Sequence, residues 1–225
     1  MATQVYKTLS KIFGIILLVV GIAALSGGLY ADSFIKAQLE EQDVVLPTTE
    51  SIDGQLKAGR IAQEDADALY PVAGEAVVTG DQARIFANHY IHAHMRAAVV
   101  DAGLDPDTTT FATVGKIASD REAVLTEEIA ADNPAADDAT ITKMVKAEIA
   151  NPLTEYDIAA EVANLNSLRY DTLLDGNTLR GMLLNAYGWG LLGTIAKLAG
   201  AGLAVVGLLL TVFGFVYKGR KVAVE

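Results

Sequence analysis

Two long runs of uncharged, mostly apolar residues lie near the two ends of this 225-residue chain. The first covers residues 12–30, and the second covers residues 198–217. A helix rises about 1.5 Å per residue, so runs of this length reach about 30 Å, the thickness of the hydrocarbon core of a bilayer. The pattern therefore predicts two transmembrane helices. The first run is also longer than the apolar core of a cleaved signal peptide, so we expect an uncleaved anchor.

Glycine recurs at every seventh position of both runs. The glycines are Gly14, Gly21 and Gly28 in the first run and Gly193, Gly200, Gly207 and Gly214 in and before the second. A spacing of seven keeps residues on one side of a helix, and a strip of small residues lets another backbone come close. Either the two strips face each other within one chain, or each strip faces a copy of itself in an oligomer. Glycine is also frequent in membrane helices generally, which is the simpler alternative.

The long middle of the chain shows helical periodicity interrupted by turn residues. We expect helices at residues 31–42, 56–69, 81–102, 140–150 and 153–174, and one or two helices at residues 108–129. A turn is predicted at residues 175–178, where Thr178 is placed to cap the last helix. The predicted fold is an all-α membrane protein, in which two transmembrane helices flank a helical extracytoplasmic domain at residues 31–180.

Residues 181–197 precede the second run and are predicted to form a helix along the membrane interface. Tyr187 and Trp189 are typical of an outer aromatic belt, whereas Lys197 would lie about 12 Å deeper on a straight helix. The alternative is that Lys197 faces a protein-lined or wet interior, because a charge at depth is costly without a partner. At the other end of the run, Phe215, Tyr217 and Lys218 are predicted to mark the inner interface.

Charge is sorted along the chain. The net charge is −11, but residues 31–180 hold 27 acidic and 11 basic residues, while the rest of the chain holds 6 basic residues and 1 acidic residue. Basic flanks favour the cytoplasmic side, so residues 1–11 and 218–225 are predicted to be cytoplasmic and the acidic middle to be outside. The negative charge argues against nucleic acid as a partner.

Few residue patterns suggest chemistry. The chain has no cysteine, which excludes disulfides and thiol nucleophiles, and no common nucleotide-binding or hydrolase motif occurs. His89 and His92 share a predicted helix face and are weak candidates for a metal site, but their spacing does not match known zinc patterns. We therefore expect half-buried structural histidines and no cofactor. A pH-sensing role for this pair is the alternative.

Three segments together resemble a group of uncharacterised actinobacterial membrane proteins with two spans and an external helical domain. The segments are IKAQLEEQDVVLP (residues 35–47), GDQARIFANHYIHAHM (residues 80–95) and TLRGMLLNAYGWGLLG (residues 178–193). Some of these proteins carry a label taken from aromatic ring-opening dioxygenases. Such enzymes hold iron with two histidines and a carboxylate in a soluble αβ fold, whereas the histidines here cluster on one predicted helix. The resemblance thus implies the topology and assigns no functional residue.

The sequence leads to an expected role without catalysis. We expect an integral membrane protein that acts as a scaffold or accessory subunit of a cell-envelope complex, or that self-associates. Its expected partners are the lipid bilayer and either another protein or a second copy, contacted through the transmembrane helices. The alternative is a membrane sensor whose outer domain binds a ligand, a cation or a proton. An enzyme is the third reading.

Overall fold

The computed structural model describes residues 2–216, and every regular element in that range is helical. The α-helices are α1 (Ala2–Glu40), α2 (Thr49–Lys57), α3 (Gln63–Leu69), α4 (Gly80–Ile85), α5 (His92–Asp101), α6 (Phe111–Asp132), α7 (Asp138–Ile149), α8 (Asp157–Ser167) and α9 (Asp175–Val216). The segments Phe86–Ile91 and Leu168–Leu174 are π-helical, and Tyr70–Val72 forms a 3₁₀ turn. The all-helical prediction is confirmed. Two helical stretches, Gln4–Glu40 and Asp157–Val216, are long and apolar enough to cross a membrane.

The chain divides into two compact units. Within the described residues, the first unit contains residues 2–45, 76–84 and 184–216, and we call it the helix-pair unit. The second contains residues 46–75 and 85–183, and we call it the helical domain. Residues 31–45, which the charge pattern placed with the outer domain, thus pack with the helix-pair unit.

The predicted turn at residues 175–178 is wrong. The helix continues through these residues, and the Thr178 hydroxyl donates a hydrogen bond of 2.8 Å to the Leu174 carbonyl oxygen one turn earlier, so it caps nothing. Gly176 serves packing instead, because a Cβ built there would lie 2.5 Å from Met95 Sδ. A long-range contact therefore explains a glycine that local reasoning assigned to a turn.

The single short helix predicted at residues 56–69 is also wrong. Two helices, α2 and α3, cover this region, and Gly59 separates them with a φ of +69°, a conformation that side chains with a Cβ rarely adopt. Thr48 caps α2, where its hydroxyl accepts a 3.3 Å hydrogen bond from the Ser51 amide. Ile52 in α2 and Leu69 in α3 are fully buried.

Two hydrophobic clusters form most of the core of the helical domain, and α6 contributes to both. The first consists of Met95, Val99, Val114, Ala118, Leu165, Leu168 and Leu173. The second consists of Leu125, Ile129, Ile141, Val145 and Ala159. Fully burying an aliphatic side chain stabilises a fold by about 1.5–3 kcal/mol. Clusters of this size therefore hold the domain together without disulfides.

Candidate functional site

The glycines at seven-residue spacing form the contact between α1 and α9. The two helices run antiparallel in the helix-pair unit, and all seven glycines are buried. The glycines that face each other across the two helices are Gly14 with Gly207, Gly21 with Gly200, and Gly28 with Gly193. A Cβ built on Gly28 would lie 2.6 Å from the Gly193 carbonyl oxygen, and one on Gly200 would lie 2.7 Å from that of Gly21. A side chain at Gly28 or Gly200 would therefore force the two backbones apart.

This contact uses both glycine strips within one chain. The sequence left open whether the strips face each other or face other copies, and the structure has the first arrangement. Gly214 extends the contact, since the Lys11 side chain covers it and places its ammonium 4.1 Å from the centre of the Phe215 ring. The other faces of both helices remain exposed and apolar; Val19 and Leu209, for example, are 61% and 63% exposed.

Lys197 has a carboxylate partner. It forms an ion pair with Asp32 of α1, and its side chain also covers Gly28. Residues 181–197 are one continuous part of α9, with no break in the helix at their glycines. The Lys197 ammonium thus has a partner within the helix-pair unit. The ion pair lies just beyond the ends of both apolar runs, where pairing reduces the cost of the charge.

A cavity of about 510 Å³ opens beside this ion pair within the helix-pair unit. Apolar side chains of α1 and α9 form part of its wall, and four charged side chains line it: Asp32, Lys36, Asp81 and Lys197. Tyr187, predicted to belong to an aromatic belt, also lines the cavity, and the Arg84 guanidinium lies 5.5 Å from the centre of its ring. Trp189 is 59% exposed. The predicted interface residues Tyr217 and Lys218 lie outside the described residues.

The histidines lie in the helical domain and each has different surroundings. His89 stands in the π-helical segment, and its Nδ1 is 3.0 Å from Asp65 Oδ1 in α3. His94 Nδ1 lies 2.7 Å from the Tyr90 carbonyl oxygen. Burial lowers the pKa of His92, and the nearby positive charges of Arg180 and Arg96 lower this pKa further. Among residues 2–216, no three His, Asp or Glu side chains are grouped to hold a metal ion.

A second cavity, of about 310 Å³, lies in the helical domain next to this region. Two arginines and two aspartates line it, namely Arg60, Arg96, Asp65 and Asp101. Arg96 is already paired with Asp107 at 2.8 Å, and Asp65 accepts both the Ala62 amide and the His89 contact. Two of the four charged side chains, Arg96 and Asp65, are therefore already bonded to other groups of the helical domain.

The sequence did not reveal the acidic partners of Lys197 and His89, which are Asp32 and Asp65. Asp32 follows the first apolar run by two residues, and this position was the available signal for a partner to Lys197. Asp65 stands 24 residues before His89, and no spacing rule connects them.

Comparisons with protein-family models, with curated proteins and with solved structures find no match to this chain. The class of protein is therefore defined by the fold alone: within residues 2–216 it is all-helical, with two helical stretches long and apolar enough to cross a membrane.

Proposed function

We propose that this chain is an integral membrane protein whose antiparallel α1 and α9 both cross the bilayer. In this proposal both termini are cytoplasmic, and residues 31–180 form an acidic domain outside the cell membrane. The observation that carries the proposal is the packing of glycine on glycine between two helices whose remaining faces are apolar and exposed. Helices associate in lipid through close backbone approach of this kind, because burial of apolar surface supplies no driving force for association there.

We further propose a role without catalysis, as a scaffold or accessory subunit of a cell-envelope complex. Because the glycine strips contact each other, a partner must use other surfaces of the protein. In the helical domain, the first turns of α9 expose Leu179 and Met182, which are 52% and 66% exposed, and Leu174 just before α9 is 44% exposed. Exposed apolar side chains on successive turns of one helix support a protein-binding role.

Topology is tested first, and the lack of natural cysteine makes the test direct. Single cysteines replace the exposed residues Gln4 and Asp107, and intact cells are treated with a membrane-impermeant maleimide. We expect Asp107→Cys to be labelled in intact cells and Gln4→Cys only after permeabilisation. Labelling of Gln4→Cys from outside would overturn the proposed orientation.

Association is tested by photo-crosslinking in cells. A photoreactive residue at Met182 should give one discrete product containing a second protein or a second copy. The same residue at Asp138, which is also exposed but lies on α7, is the matched control and should not give that product. Identical patterns at the two positions, or none at either, would reject the scaffold role.

A sensor is the second candidate, and the histidine region favours it. His89 stands in a π-helical segment and pairs with Asp65 of α3, and such segments are frequent at functional sites. His92 is half-buried near Arg96 and Arg180, so protonation there adds a third positive charge. A pH sensor should show faster hydrogen exchange in residues 86–91 at pH 5.5 than at pH 7.5 after correction for intrinsic rates. Exchange that changes equally throughout the domain would reject this role.

A further inference from the structure

Arg169 is a half-buried arginine of the helical domain whose charge has no counter-charge. Within the described part of the chain, no hydrogen bond or ion pair reaches its guanidinium, and its Nε is buried without a partner. Residues 31–180 hold 27 acidic residues against 11 basic ones, so carboxylates are plentiful. Arg96 and Arg121 of the same domain each pair with one. A half-buried charge costs stability when it is unpaired, which points to a counter-charge outside this chain.

Three neighbours hold this guanidinium in a fixed position. Its Cζ lies 4.3 Å from the centre of the Phe111 ring and 4.9 Å from that of the Tyr170 ring, and the two rings meet edge to face. Gly115 provides the remaining space, because a Cβ built there would lie 2.6 Å from Arg169 Cζ. A guanidinium that lies over ring faces keeps the N–H groups at its edge free, and these match the two oxygens of a carboxylate.

An exposed apolar strip begins beside Arg169. We define this strip as Tyr170, Leu174 and Met182, all of which are exposed. Its members are four and eight residues apart in the continuous helical stretch Asp157–Val216, so they recur within about one or two turns. A cation at one end of an apolar strip is complementary to a segment that carries apolar side chains and, at the matching end, a carboxylate.

A symmetric pair of copies does not supply that carboxylate. The strip continues through α9 into the second apolar run, so two copies in one membrane would pair with these helices parallel. In a parallel pair with twofold symmetry each residue faces its own equivalent. Arg169 would then face a second Arg169, and like charges opposite each other repel. The complementary carboxylate therefore belongs to a different protein.

We propose that Arg169 and the apolar strip dock an acidic segment of a partner protein. A carboxylate of that segment accepts hydrogen bonds from the terminal nitrogens of Arg169, while its apolar side chains cover Tyr170, Leu174 and Met182. This inference rests on the proposed membrane location and scaffold role, and it names the chemistry of the partner that such a role requires.

The test places a photoreactive residue at Leu174 of the full-length protein in cells. We expect one discrete product with another protein, whose cross-linked peptide contains Asp or Glu within about two helical turns of the attachment point. Arg169→Gln should lower the yield of this product by about tenfold, because it removes a charge-assisted hydrogen bond. Arg121→Gln is the matched control, since Arg121 already pairs with Glu161 at 3.0 Å, and it should leave the yield within about twofold.

A charge exchange separates the carboxylate contact from a role of Arg169 in folding. Arg169→Glu should abolish the product, and replacing the acidic residue of the cross-linked peptide with arginine should restore it. A change in another protein would not repair a misfolded domain. Arg169→Lys keeps the cation but loses the planar pair of donors, so it should give an intermediate yield.

Several outcomes would overturn this inference while leaving the scaffold role intact. These are equal yields from Arg169→Gln and Arg121→Gln, a cross-linked peptide without an acidic residue, or a product from Met182 but none from Leu174. A product that contains a second copy of this chain, or a lipid in place of a protein, would also overturn it. The absence of any product from both Leu174 and Met182 would instead reject the scaffold role and this inference together.

Discussion

Replacing Gly200 with alanine tests the close contact between α1 and α9. The added Cβ would lie 2.6 Å from the Leu25 amide nitrogen and 2.7 Å from the Gly21 carbonyl oxygen. Both atoms belong to backbone, so neither moves aside as a flexible side chain would. Ordinary contacts begin near 3.4 Å, so the backbones must separate locally by about 0.8 Å.

The energetic cost follows from that separation. A radial gap of about 0.5–1 Å forfeits roughly a quarter to a half of each dispersion contact across the interface. Overpacking a close-packed site by one or two carbons costs about 1–3 kcal/mol. We therefore expect Gly200→Ala to weaken the helix pair by about 1–3 kcal/mol, which is roughly 5- to 150-fold in the equilibrium constant for the closed pair.

Gly202→Ala is the matched control. Gly202 lies on the same helix, and a Cβ built there has no neighbour within 4 Å. Both substitutions change helix propensity in the same way, so the difference between them reports the contact alone.

Disulfide formation between cysteines placed at Leu18 and Ala204 measures the pairing in vesicles. Each of these residues contacts a glycine of the opposite helix, and the chain has no natural cysteine. Gly200→Ala should slow cross-linking within the chain, whereas Gly202→Ala should leave its rate within about twofold. Equal rates in the two variants would refute the claim that the glycine strips hold the pair together. If Gly200→Ala instead reduces oligomer size while intrachain cross-linking persists, the strips face neighbouring copies.

Three further predictions concern an ion pair, a titration and a helix cap. Lys197→Met should destabilise the contact between α1 and α9 in detergent by about 1 kcal/mol, because the Asp32–Lys197 ion pair is partly exposed. Adding Asp32→Asn to Lys197→Met should cost little more. If the losses of the two single variants add in this double-mutant cycle, the ion pair is contradicted. The pKa of His92 is lowered in the folded protein, so on acidification the unfolded chain binds the proton first. The free energy of unfolding should therefore fall as the pH decreases below about 6.5. Denaturant titrations at pH 7.5 and 5.5 should show a smaller fall for His92→Gln. Thr110→Ala should lower the free energy of unfolding by about 1 kcal/mol, because it removes the N-terminal cap of α6. Thr178 lies within a helix, so Thr178→Ala should lower this free energy by less than about half as much. Equal losses from the two variants would show that Thr178 does act as a cap.

Local patterns in the sequence were enough to predict helices and two candidate spans. An apolar run of some 20 residues and a 3.6-residue periodicity are properties of neighbouring residues, so no tertiary information is needed to read them. The seven-residue spacing of glycine also showed which side of each long helix is smooth. The contact face of each long helix was therefore predictable, whereas the sequence did not show which surface packs against that face.

Tertiary structure alone decided which groups meet. The glycines of α1 face those of α9 across more than 160 residues of chain, and Asp32 meets Lys197 over the same distance. The residues 175–178 have the composition of a turn, yet they are helical, and Gly176 packs against Met95 there. Local preference for a turn is worth about 1 kcal/mol at a glycine, which burial of neighbouring side chains exceeds. A contact between two single distant residues leaves no periodicity in the sequence, and for this reason the ion pair, the cavity and the Asp65–His89 contact emerged only from the fold.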